Sequence, residues 1–84
     1  MERRHHYKQF IIEAQPHKLR DLPGWSVEFF IEAHDGSGIT VTHFYFDKPQ
    51  TFESEEAAIQ AALAAGKRKI DAGFTPKVDE AVAV

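Results

Sequence analysis

The sequence predicts an α+β domain: a three-stranded antiparallel sheet followed by one C-terminal helix packed on one face, in the order β-β-β-α. Three observations predict it. Two runs, Trp25 to His34 and Ile39 to Phe46, alternate around the turn signal Asp35-Gly36-Ser37-Gly38. An earlier run, Tyr7 to Gln15, alternates in the same way. Behind Ser54-Glu55-Glu56, the residues Ile59, Ala62, Leu63, Gly66 and Ile70 then recur at helical spacing.

The first strand, Tyr7 to Gln15, sets Phe10, Ile12 and Ala14 on one face and Gln9, Ile11 and Glu13 on the other. Pro16 removes a ladder donor and is expected to end it. Residues 17 to 24, closing on Asp21-Leu22-Pro23-Gly24, read as a long hairpin loop.

The second hairpin permits a register. Asp35 opposite Gly38 places Glu32 against Val41, Ile31 against Thr42, Phe30 against His43, Phe29 against Phe44, Glu28 against Tyr45 and Val27 against Phe46. Val27, Phe29, Ile31, Ala33, Phe44 and Phe46 then share one face.

The helix is expected from Ser54 to about Ala72. Ser54 is the N-cap, and Glu55 and Glu56 meet the positive end of the helix dipole. Lys67, Arg68 and Lys69 occupy the last turn, and Gly73-Phe74 has the form of a glycine C-cap with its apolar companion. One apolar helix stripe and one aromatic sheet face pack most economically against each other, with Ala62 and Gly66 permitting a close approach.

This assigns residues 7–74 to a single domain, residues 1–6 to a basic flexible N-terminal arm and residues 75–84 to a disordered tail. With 84 residues the chain has room for one core, yet it carries seven Phe, one Trp and two Tyr. Some of those rings need cover from outside the domain.

The absence of cysteine excludes disulfides, thiolate metal sites and a Cys nucleophile, and points to a cytoplasmic protein. No apolar run approaches the ~18 residues of a membrane span, so no membrane partner is expected. Net charge is −3, with +3 in residues 1–20 and −6 in the rest, an acidic body that repels phosphate.

Five histidines raise the question of a metal. His34 and His43 fall at opposite ends of their hairpin and His5 and His6 on the arm, so no metal site and no cofactor is expected. Glu28, Glu32, His43 and Tyr45 share the back of the sheet, but one sheet and one helix leave little room for a pocket that shifts a pKa. The expectation is therefore no enzyme.

The remaining feature is that reverse face, where Ile11, Phe30, Ile39, Val41 and Tyr45 lie among acidic residues and His43. Apolar patches with polar rims mark association surfaces. Ile11, Phe30, Ile39, Val41, His43 and Tyr45 form the candidate face for a protein partner or a second copy, with Tyr7 to Gln15 or Ile39 to Asp47 as a candidate edge strand.

The run from Gly24-Trp25 through an aromatic third strand, the Thr51-Phe52 step and the Glu55-Glu56-Ala57 helix, ending near Gly66-Lys67-Arg68-Lys69-Ile70-Asp71, resembles a class of short, uncharacterised bacterial proteins. Its β-β-β-α order also resembles HicB-type antitoxins and, with an extra helix in front, double-stranded-RNA-binding domains. That resemblance implies a nucleic-acid alternative, using Arg3, Arg4, Lys67, Arg68 and Lys69. In the RNA-binding family the basic residues stand at the start of the helix; here they stand at its end.

Overall fold

A computed structural model describes residues 2–36, 38–46, 50–76 and 79–82. The elements are β1 (Arg4–Tyr7), β2 (Phe10–Lys18), β3 (Trp25–Asp35), β4 (Gly38–Phe46), α1 (Glu55–Asp71) and β5 (Asp79–Val82). Strands β1 to β4 form an antiparallel sheet in chain order, and β5 joins β4 in parallel, with α1 as the crossover.

The β3–β4 register agrees with the alternation of the sequence. Phe29 pairs with Phe44, Phe30 with His43, Ile31 with Thr42 and Asp35 with Gly38. Ile12, Ala14, Val27, Phe29, Ile31 and Phe44 are buried on one face, and the Phe29 and Phe44 rings stack at 4.9 Å. Across from them α1 buries Ala58, Ile59, Ala62, Leu63, Ala65, Gly66 and Ile70. The helix lies over β2 and β3, while Phe74, edge-on to Phe10 at 5.4 Å and tilted on Phe44 at 5.7 Å, closes the core beside its C-terminus.

The helix termini follow from local chemistry. The Ser54 hydroxyl accepts from the Ala57 amide at 3.0 Å, and Glu55 and Glu56 fill the first turn. At the other end the Gly73 amide donates to Ile70 O, with Gly73 at φ +93°, a conformation that excludes most side chains.

The antiparallel sheet has four strands rather than three. Residues 4–6, expected in a flexible arm, belong to β1, which pairs Arg4 with Glu13 and Tyr7 with Phe10 across the Lys8-Gln9 turn. Its Arg-His-His-Tyr sequence carries no apolar alternation. Backbone pairing and side-chain partners hold it instead: the Ala14 amide donates to Arg3 O at 2.8 Å, and Lys8 takes a left-handed φ of +55° to close the turn.

Strand β2 passes through Pro16, which was expected to end it, and pairs as far as Lys18↔Trp25. The ladder explains the tolerance. Ala14 turns its amide toward β1, so Pro16, two residues on, turns its nitrogen to the same side, past the β1–β2 pairs at Arg4 to Tyr7. The loop shrinks to residues 19–24, tied by Leu19 N to Gly24 O at 3.1 Å.

Within the expected disordered tail, Asp79–Val82 form β5, pairing His43 with Asp79 through Phe46 with Val82. Pairing of this kind satisfies main-chain groups on the β4 edge and needs no side-chain period. The expected edges shift accordingly: β1 covers β2, and β5 covers β4 from His43 to Phe46, so that among the described residues β1 and β5 are the outermost strands. Asp47, the proposed end of the second candidate edge strand, lies outside the described residues, as do residue 1 of the expected flexible arm and residues 77–78 and 83–84 of the expected disordered tail.

Candidate interaction face

Strand alternation puts every second residue of the sheet away from α1. On that reverse face the centre is apolar: Ile11 from β2, Phe30 from β3 and Val41 from β4. Arg4, Glu13 and Glu32 stand beside them, and the six together line a shallow depression of about 300 Å³. Ile11, Phe30 and Val41, grouped from the sequence, are thus adjacent in space. Ile39, exposed at 61%, lies outside the depression toward the Asp35–Gly38 hairpin, and Tyr45, exposed at 43%, toward the opposite end of β4.

The rim pairs with itself. The Arg4 guanidinium forks between Glu13 at 2.6 Å and Glu32 at 3.2 Å. Its hydrogen bond to Glu13, seconded by the one to Glu32, holds its pKa above the ordinary arginine value. Glu32 also meets His34 Nε2 at 2.9 Å. Glu28 lies between two imidazoles, His17 at 3.5 Å and a closer His43. The His43 ring stacks on Phe30 with centroids 4.9 Å apart and leans toward Tyr45 at 5.8 Å.

Two of these rim groups escape a reading of the sequence. Arg4 is assigned to a free arm, and His17 to a loop, until β1 and the extension of β2 bring them over Glu13, Glu32 and Glu28. Composition offered one signal: a −6 body and a +3 N-terminal segment are electrostatically complementary.

The candidate nucleic-acid residues do not converge. Arg3 sits 3.6 Å from Glu55 at the start of α1, and Arg4 is on the reverse face between two carboxylates. Lys67, Arg68 and Lys69 are at the far end of the helix, ~20 Å from Glu55 at 1.5 Å per residue. What lies near them is the β1–β2 turn. Lys67 Nζ and Lys8 Nζ stand 5.6 and 5.4 Å from the Tyr7 ring centroid, while Lys8 pairs with Asp71 at 2.6 Å and the Tyr7 hydroxyl donates to the same carboxylate at 2.9 Å.

A larger open depression, about 620 Å³, lies between Pro23-Gly24 and Thr51-Phe52-Glu53 beside Ala57. Of its lining residues only Glu53 ionises, so no acid–base pair faces that space. Among the described residues no three His, Asp or Glu side chains converge as a metal cage, and no helix is long and apolar enough to cross a membrane.

No protein-family model, no curated protein and no solved structure matches the chain.

Proposed function

We propose that the chain is a non-enzymatic interaction module that binds a protein, its own second copy or another, through the reverse face of its sheet. One observation carries this reading: Ile11, Phe30 and Val41 make an apolar floor on the face opposite α1, beside exposed Ile39 and Tyr45. Burying such a floor is favourable at ~25 cal/mol per Å², and its rim of paired charges gives the patch the apolar centre and polar border of an association surface. The ionisable groups around this floor pair with one another, Arg4 with Glu13 and Glu32, which favours binding over chemistry.

The test is a series of ¹⁵N NMR spectra between ~20 µM and ~1 mM, where weak complexes populate. Concentration-dependent shifts at Ile11, Phe30, Ile39, Val41, His43 and Tyr45 are the expected result. Shifts confined to α1, or none, retire this face as a self-association surface.

A second reading, a nucleic-acid-associated domain, draws its support from Lys8 and Lys67 over the Tyr7 ring. It requires binding that weakens steeply with salt. Polarisation titrations with single- and double-stranded probes at low salt decide it; flat curves end it.

A further inference from the structure

We propose that the reverse face is a proton-controlled self-association surface: two copies meet on it in mildly acidic solution and are held apart at alkaline pH by the carboxylates around the Ile11, Phe30 and Val41 floor. The inference rests on the association reading above, names a second copy as the partner and adds the regulation.

The ladder concentrates the imidazoles. Of the five histidines, four fall on this one face. His6 is paired with Ile11, and His17 follows Ile11, Glu13 and Gln15 at every second position of β2. His34 alternates with Glu32 on β3, and His43 with Val41 on β4. His5, paired with Ile12, turns to the helix side. His6, His17 and His34 are exposed, and His43 is half-buried.

These imidazoles stand among ionised groups. His17 at 3.5 Å and a closer His43 flank Glu28, and His34 meets Glu32 at 2.9 Å. His6 is two positions along β1 from Arg4, which bridges Glu13 and Glu32. Tyr45 is the other titratable side chain that β4 gives to the face, and the β4–β5 register sets Asp79 beside His43. The helix packs on the opposite side of the sheet. His43, stacked on Phe30 at 4.9 Å, places one of the proton sites on the floor itself.

With the imidazoles neutral, the described side chains of the face hold one cation, Arg4, against the three carboxylates Glu13, Glu28 and Glu32, a net −2. Imidazole changes charge between pH 5 and 8, whereas carboxylates stay ionised down to pH ~4. Two protons therefore cancel the −2, a third offsets Asp79, and a fourth turns the face positive.

Self-repulsion follows the square of that charge, because both copies carry it. Two faces of net −2 at ~10 Å, the spacing of packed sheets, repel in water strongly enough to weaken a complex ~10-fold at low salt. Near pH ~6 the face holds cations and carboxylates in nearly equal number and offers an apolar floor to an apolar floor, so it is complementary to itself. A cationic partner would instead bind best at alkaline pH. Protonation favours the dimer, so its stability is lost as the pH rises through the imidazole range, and below pH ~5 the excess positive charge weakens it again.

Sedimentation equilibrium of the full chain tests this at ~20 mM salt, between ~20 µM and ~1 mM protein and from pH ~5 to ~8. The dissociation constant is expected to be smallest near pH ~6 and at least ~10-fold larger at pH ~8. A constant that varies less than ~3-fold overturns the proton control and leaves the face reading standing. Tighter association at pH ~8 overturns it as well, and no association at any pH overturns both the control and self-association.

The whole chain also nears zero charge in this range, with a pI of about 5.9, and matched variants separate that effect. Glu28→Gln and Glu56→Gln change the net charge equally, but Glu56 is exposed in the first turn of α1, away from the face. Glu28→Gln is expected to shrink the difference between pH ~8 and ~6 to ~3-fold or less, and Glu56→Gln to preserve it. Equal behaviour of the two overturns the proposal. Replacing His6, His17 and His34 together with Gln is expected to shrink the difference likewise, while His5→Gln keeps it. An undiminished pH response in the triple variant overturns the assignment to these imidazoles.

Discussion

Gly66 lies so close to Ile12 that a Cβ placed on it would stand 2.8 Å from Ile12 Cγ2 and 3.0 Å from Cδ1. Ile12 is fully buried and β-branched, so its Cγ2 cannot swing aside as the tip of a long side chain would. The distance between α1 and β2 is set at this contact.

Replacing Gly66 with Ala tests it. Helix propensity alone would make the change stabilising by ~1 kcal/mol. Overpacking against Ile12 costs ~1–3 kcal/mol, and the net expectation is a loss of up to ~2 kcal/mol in urea unfolding. A Gly66→Ala protein more stable than wild type would show that α1 shifts freely on the sheet.

The stacked Phe29 and Phe44 rings, parallel within 3° and both fully buried, couple β3 to β4 in the middle of the core. Phe29→Ala is expected to cost ~3–5 kcal/mol. At ~0.05–0.15 kcal/mol of stability per residue, that is a large share of the total for this chain. Thermal melts followed by circular dichroism should show a midpoint lowered by many degrees, or no folded baseline.

Asp71 ties the end of α1 to the β1–β2 turn. Its carboxyl is held below the usual aspartate value first by the hydrogen bond from Lys8 and then by that from Tyr7. Both partners move the other way, Lys8 and Tyr7 each titrating above their ordinary values because of the Asp71 hydrogen bond. A depressed carboxyl contributes stability that is present above pH ~4 and lost as the pH falls through the folded value. The raised Lys8 and Tyr7 contribute stability that is present below pH ~10 and lost as the pH rises through theirs. Melting temperatures of wild type and Asp71→Asn should differ at neutral pH and converge at both extremes. A difference that persists in strong acid would assign the effect to packing.

Phe30 is outside the core, stacked on His43 and half-buried on the reverse face. Phe30→Asp is expected to lower the melting temperature only modestly, a surface-type cost of ~1 kcal/mol. It also sets a fourth carboxylate among Glu13, Glu28 and Glu32. The concentration-dependent shifts of Ile11 and Tyr45 should then vanish. Their survival would move the interaction surface elsewhere.

The nucleic-acid candidates show how far residue type carries without geometry. Arg3, Arg4 and Lys67–Lys69 share charge, but the fold spends Arg3 on Glu55 and Arg4 on Glu13 and Glu32, at separated places. No local pattern encodes those partners, which are 9 to 52 positions apart in the chain.

The sequence alone determined the β3–β4 register, the separation of Phe29, Ile31 and Phe44 from Phe30, His43 and Tyr45, and a helix capped by Ser54 and closed by Gly73. Each of these is written in consecutive residues, as a period of two, a period of 3.6, a turn or a cap. Only the tertiary structure decided that Arg4–Tyr7 and Asp79–Val82 are strands, that Pro16 stands inside β2, and that β5 rather than β4 ends the sheet. Main-chain pairing accepts almost any side chain, and a partner distant in sequence leaves no local trace. The reverse face was therefore visible from the alternation, while its charged rim emerged only once the strands were in place.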